Sequence, residues 1–326
     1  MVKQNMMGDF SKPFSLTLSS MKKYKHLVSL LTSSNLDALK RLVYVVKNEV
    51  RPGELLQTDF KIIVNTLNDE YYDEVVNADL GLEVIRTESN GTAGRGKNSC
   101  HEVMLQGDYD FLTQFDGDDI FYPTFLESLS EHIRRMPVLD VLGIYPCDTV
   151  NLGEKSNVGH VFDIYNDWVG SVWGVSLCPF QEPRGVSKHP YLWESSRHCI
   201  SQDFIILQSR KACEIMFDEE MVCAEDHLQS FKYLAEHQKG NLVYYQTMSS
   251  DMYIIDRSSP ESTQKTHKDY DYVTKLHEEV PKYVPKWRSS FSELPCLFID
   301  LKMSHVDKEK WLQTLFKEYY EVENSS

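Results

Sequence analysis

The 326-residue chain contains no run of about 18 apolar residues, so the sequence offers no helix able to cross a bilayer. Its first residues, MVKQNMMGDFSKPFSLTLSSMKKYK, lack a continuous apolar core; they read as a tail over 1–25 and not as a secretory signal. Basic residues are scarce, with Lys plus Arg at 34 against 49 Asp plus Glu. The resulting net charge of -15 opposes nonspecific attraction to nucleic acid or to an anionic membrane surface. The seven cysteines include no CxxC pair and are odd in number, which excludes a disulfide framework or a zinc site of the usual spacing. Reduced thiols and a cytoplasmic location are the expectation. Internal repeats and low-complexity tracts are also missing.

What is present is a chain with 41% hydrophobic residues and enough length for one large domain or two moderate ones. Strand-like runs alternate with helical stretches: LVSLLTSS at 27–34, a helix over 37–50, FKIIVNTLN at 60–68, a helix over 69–78, and LEVIRTE at 82–88. A helix from about Gly96 to Leu105 and the strand YDFLTQF follow. This alternation predicts an α/β fold with a mostly parallel sheet flanked by helices, and in such sheets ligands sit beyond the carboxyl ends of the strands. Residues 138–150 read as a fifth strand and DFIILQS at 203–209 as another, with a helix from Arg210. Four regions are expected: the tail at 1–25, a ligand-binding half at 26–145, a second half at 146–258, and a linker with a C-terminal helical extension at 259–326.

The segment YDFLTQFDGDDIFYPTFL, Tyr109 to Leu126, drives an apolar strand into Asp116, Asp118 and Asp119 before a helix that starts near Pro123. Like charges packed at a strand end resist ionisation unless a cation joins them. Oxygen ligands on short side chains favour Mg2+ or Mn2+, which bind one or two carboxylates together with substrate phosphates. The plainer alternative is a polar turn in which an Asp caps the next helix. The position of the cluster at a strand's carboxyl end favours the metal and a nucleoside diphosphate.

Other features leave two readings open. Trp168, Trp173, Tyr191 and Trp193 crowd an irregular segment over 151–200, where aromatic rings stack on sugar faces or pack as core. In DKEKWLQTLFKEYYEVE, Trp311, Leu312, Leu315, Phe316, Tyr319 and Tyr320 share a helical face that packs back on the domain or forms a homodimer. Glu225-Asp226 is either a helix N-terminal pair that complements the dipole or a catalytic carboxylate pair.

The order of these pieces resembles the inverting family 2 glycosyltransferases of the GT-A (Rossmann-like) fold, which use nucleotide-sugar donors. The resemblance covers roughly Leu27 to Thr263. It rests on Asn90-Gly91, Arg95-Gly96-Lys97-Asn98, Gly107-Asp108-Tyr109, Asp116-Gly117-Asp118-Asp119, the phrases Phe217-Asp218-Glu219-Glu220 and Glu225-Asp226-His227-Leu228, and Tyr253 to Arg257. The resemblance implies that Asp118 holds Mn2+ or Mg2+ on the diphosphate of a UDP-sugar, with Asp116 on the metal or the ribose and Asp119 shaping the loop. It places Thr32, Asn35 and Asn65 near the nucleoside, Arg95, Lys97 and Asn98 in the donor pocket, and Arg257 or His267 over the diphosphate. Asp226 becomes the general base toward a carbohydrate or glycoconjugate hydroxyl, and Glu225 orients Asp226 or the acceptor. Two rivals remain: a haloacid-dehalogenase-type phosphohydrolase, which needs its Asp pair on the first strand, and a carbohydrate-binding relative without turnover.

Overall fold

In a computed structural model, the residues described are 23–144, 148–150, 205–221, 225–247, 252–256, 271–284, 294, 296–297, 299–304, 306–308, 310–312 and 314–315. Residues 26–30 of β1 (Tyr24–Thr32) are buried in succession, the pattern of a strand covered on both faces. Helix α1 (Leu36–Asn48) starts after Asn35, whose side chain accepts a hydrogen bond from the Ala38 amide and whose backbone is left-handed, φ 63°. Then come β2 (Leu56–Val64), α2 (Asp69–Asn77) capped by Asn68, β3 (Glu83–Arg86), α3 (Ala93–Gln106) capped by Thr92, and β4 (Phe111–Asp116). Strand β1 pairs in parallel with both β2 and β4, and β3 adds in parallel outside β2.

The chain therefore builds outward from β1 to β3 and then returns to the other side of β1 with β4. That reversal opens a crevice at the carboxyl ends of β1 and β4, where open α/β sheets bind their ligands. The strand partners there are Leu31 and Asp116, so the acidic cluster begins at the switch point itself.

Beyond β4 lie β5 (Ile120–Phe121), α4 (Phe125–Arg135), β6 (Val141–Ile144), β7 (Asp148–Val150), β8 (Ile205–Ser209), α5 (Arg210–Cys213), α6 (Glu225–Gln238), β9 (Tyr244–Thr247), β10 (Tyr253–Asp256), α7 (Asp271–Tyr283) and β11 (Cys296–Leu297). The main sheet runs β11-β9-β6-β8-β4-β1-β2-β3, with β8 antiparallel to both β4 and β6. A second sheet, β5-β10-β7, stands beside it. The expected strand over 138–150 is thus two strands in two sheets.

Inside the stretch read as a linker, α7 buries Val280. Met303, Leu312 and Leu315 join the core built around Val28, Leu39 and Phe115, so these C-terminal residues pack onto the half that holds β1 to β4. The aromatic-rich segment 151–200, Arg257, His267 and Phe316 to Tyr320 lie outside the described residues. Among the described residues no helix is long and apolar enough to cross a membrane.

Candidate active site

Strand β4 ends where the chain must turn across β1. The Gly117 amide donates to the Leu31 carbonyl at 2.6 Å, and a Cβ on Gly117 would stand 2.9 Å from that oxygen and 3.0 Å from Thr32 Cβ. Only glycine fits such an approach without displacement. The Asp119 amide then donates to the Asp116 carbonyl at 3.0 Å and closes the turn. Two side chains pin it from outside: buried Arg41 of α1 donates to the Asp118 carbonyl at 3.0 Å, and the Tyr253 hydroxyl of β10 donates to the buried Asp119 carboxylate. Asp119 thus shapes the loop, as the motif resemblance implied.

Asp116 lines a cleft together with Lys97, Gln114, Ile205, Ile206, Gln208, Phe217, Asp226 and Tyr253. The cleft holds about 410 Å³ of space, part of it open solvent. It brings the carboxyl end of β4 and the start of α6 to one place, although 110 residues separate Asp116 from Asp226 in sequence.

Between them stands Lys97. Its ammonium donates to Asp226 Oδ2 at 2.9 Å and pairs with Glu225 Oε1 at 3.1 Å. Burial alone would lower its pKa, but the charges of Asp226, Asp116 and Glu225 prevail and hold it well above the usual lysine range. Glu225 goes the other way. Burial, reinforced by the charge of Asp226 and opposed by Lys97, pushes its carboxyl up to about 8.

The neighbouring motif residues point elsewhere. Arg95 forms a two-pronged pair with Glu102, one turn-pair along α3, reaches Glu219 at 3.3 Å and donates through Nε to the Glu88 carbonyl at 3.0 Å. Asn98 is buried and grips the segment before α6: Nδ2 donates to the Phe217 carbonyl at 3.2 Å and to Glu219 Oε1 at 2.9 Å, while Oδ1 accepts from the Phe217 amide at 2.7 Å. Thr92 and Asn90 add bonds to the Glu219 carbonyl at 2.8 and 3.2 Å. A Cβ on Gly94 would stand 2.1 Å from the Asp218 carbonyl oxygen, so α3 lies directly on this segment.

On the β1 and β2 side, Thr32 Oγ1 donates to the Ser34 carbonyl at 3.0 Å and lies 2.5 Å from the Tyr71 hydroxyl. Burial, aided by the charges of Glu74 and Asp118 and opposed by the Thr32 bond, raises Tyr71 to about 12. Asn35 caps α1, and the buried Asn65 amide donates to Thr87 Oγ1, the Glu88 carbonyl and Ser99 Oγ at 2.9 to 3.0 Å. These three residues fix the strand exits against one another. The side chain of His227 lies outside the described residues.

The donor set suits a hard divalent cation that takes its remaining ligands from a substrate. Among the described residues no group of three or more His, Cys, Asp or Glu side chains is placed to hold a metal ion by itself. Asp119 is engaged with Tyr253, and Asp116 and Asp118 flank Gly117 on a turn whose backbone is held at several points. One or two carboxylates completed by phosphate oxygens is the ordinary way in which Mg2+ is bound.

Sequence reading missed Gln114, Gln208, Phe217 as a cleft wall, and Tyr253 as the partner of Asp119. Gln208 carried a signal: it is a polar side chain inside the apolar run FIILQS.

No family model and no curated protein matches the chain. Among solved structures, it is similar to S. aureus TarS 1-349 in complex with UDP-GlcNAc, with a TM-score of 0.50 and 12% identity over 91% of this chain and 72% of that one. The TarS 1-349 complex with UDP matches at TM-score 0.44 and 16% identity, over 91% and 80% of the two chains. A longer TarS chain matches at TM-score 0.44 and 18% identity; this chain spans 40% of its length. The likeness to the UDP-GlcNAc complex and the strand order together show the fold: a GT-A, Rossmann-like α/β sheet, as the motifs implied.

Proposed function

We propose that this chain is a metal-dependent glycosyltransferase that moves a sugar from a nucleoside diphosphate to a hydroxyl of a carbohydrate or glycoconjugate. The observation that carries the reading is the shared cleft, where Asp116 of the acidic turn faces Asp226 at the start of α6 across the Lys97 ammonium. The likeness in fold to the TarS complex with UDP-GlcNAc supports a UDP-sugar as donor.

In this reading Asp118 and Asp116 hold Mn2+ or Mg2+. When bound, such a cation supplies charge stabilisation to a departing diphosphate. Asp226 accepts the proton of the attacking acceptor hydroxyl, and the displacement at the anomeric carbon inverts its configuration. A general base must be ionised, and the ammonium at 2.9 Å is a partner that favours that form. Burial pushes the Glu225 carboxyl up, toward its protonated form, so the adjacent pair has divided roles: one carboxyl favours keeping its proton while the other takes one. Asn98 and Glu219 hold the segment that leads into the pair.

Incubation with a panel of UDP-sugars and Mn2+ tests the proposal. Release of UDP, lost in Asp226→Asn by about 10² to 10⁴-fold while UDP still binds, is the expected result. Phosphate release from simple monoesters would favour the phosphohydrolase, and sugar binding without turnover the non-catalytic relative.

A further inference from the structure

Gln208 stands on β8 as part of the cleft wall and is 1% exposed. Its Oε1 accepts a hydrogen bond from the Tyr233 hydroxyl at 2.8 Å and lies 2.7 Å from His101 Nε2. Both partners are wholly buried. Burial outweighs the opposing bonds and lowers His101 to about 4, so its ring is neutral at pH 7 and carries one proton. Nδ1 meets no hydrogen-bond partner whereas Nε2 lies on Oε1, so the ring proton is assigned to Nε2; His101 is then the second donor to Oε1 and sets the orientation of the Gln208 amide.

The two acceptor sites of Oε1 are then filled from behind, and Nε2 is the atom left to bond. Among the described residues no protein acceptor takes Nε2, although Gln114, Asp116 and Asp226 line the same cleft beside Ile205, Ile206 and the Phe217 ring. A buried amide is normally bonded, and one that meets no protein partner at a cleft wall is completed by whatever occupies the cleft. The cost of placing such a group in an apolar strand is recovered only when a ligand supplies the missing acceptor.

We propose that Gln208 is a sugar-reading residue whose amide donates to a hydroxyl of the transferred sugar, held between Asp116 and Asp226. The inference rests on the glycosyltransferase reading and adds to it a residue for which the motifs give no role. It also explains why a histidine and a tyrosine are buried behind one glutamine: they hold its amide in register before the ligand arrives, which reduces the ordering cost of binding.

Calorimetric titration of UDP, UDP-GlcNAc, UDP-GalNAc, UDP-glucose and UDP-galactose with Mn2+ decides it. The protein is compared with Gln208→Glu, which keeps an acceptor for His101 and Tyr233 but removes the NH2, and with Gln208→Met, which serves if the first variant does not fold. The wild type should bind one UDP-sugar more tightly than UDP. The variants should bind UDP within about twofold of wild type and lose about tenfold of the sugar's added affinity, the worth of one buried hydrogen bond. Variants that retain the whole advantage of the sugar overturn the role of Gln208 and leave the enzyme reading standing. A wild type that binds UDP but gains nothing from any sugar also overturns it. A wild type that binds neither UDP nor the sugars sinks the functional reading and this inference with it.

Discussion

The Lys97 ammonium lies 2.9 Å from Asp226 Oδ2 and 3.1 Å from Glu225 Oε1, so a single cation from α3 neutralises two adjacent carboxyls at the start of α6. Lys97 is 8% exposed and Glu225 5%, so neither side chain has water as an alternative partner. Replacing Lys97 by Met leaves the acidic pair without this cation beside Asp116. Breaking a buried pair from one side costs about 3 to 5 kcal/mol. Urea denaturation should show that loss for Lys97→Met, and Lys97→Met with Asp226→Asn should recover part of it, because the double variant no longer strands the Asp226 charge.

Glu225 gives a pH signature. Its carboxyl is pushed from the usual 4.5 up to about 8, with burial as the first cause, so between those values the folded chain holds a proton that the unfolded chain has released. Stability then falls as pH rises through that window, by up to about 1.4 kcal/mol per unit, and the penalty is complete above the folded value. The stability of Glu225→Gln relative to wild type should therefore improve from pH 5 to pH 8 and flatten beyond. A difference that does not change with pH would show that Glu225 titrates normally.

Asn98 is predicted to act on geometry. Its three hydrogen bonds to Phe217 and Glu219 hold the segment before α6, and Asn98→Ala leaves buried backbone groups of Phe217 unpaired at a cost of about 2 to 4 kcal/mol. UDP affinity should stay within about threefold, since the side chain is committed away from the cleft, while turnover falls by more than tenfold as Asp226 loses its placement. A large loss of UDP affinity with turnover preserved would return Asn98 to the nucleotide.

The position of the site was legible in the chain because its cause is local. An apolar strand running into Asp116, Asp118 and Asp119 has few uses, and the three strand-helix steps before it place it at a sheet's carboxyl edge. The roles of Arg95, Lys97 and Asn98 were not legible, because a linear motif groups side chains that a helix separates. At about 100° per residue, Arg95 and Lys97 project some 200° apart, one toward Glu102 and the other into the cleft. Asn65 and Asn35 show the same limit: both sit at strand exits, and both are engaged in holding those exits together. The second sheet was invisible for another reason. Strands as short as Ile120–Phe121 have no period to read, and β10 belongs beside β5 only through a pairing that spans more than 130 residues.

The account turns on the acidic turn holding a cation that grips a diphosphate. Calorimetric titration of UDP with and without Mn2+, on wild type and Asp118→Ala, tests it most directly. The account predicts that Mn2+ tightens UDP binding to the wild type by at least about tenfold and that Asp118→Ala abolishes this gain, with UDP alone bound equally by both proteins. Equal Mn2+-dependent affinity in the two proteins would contradict it.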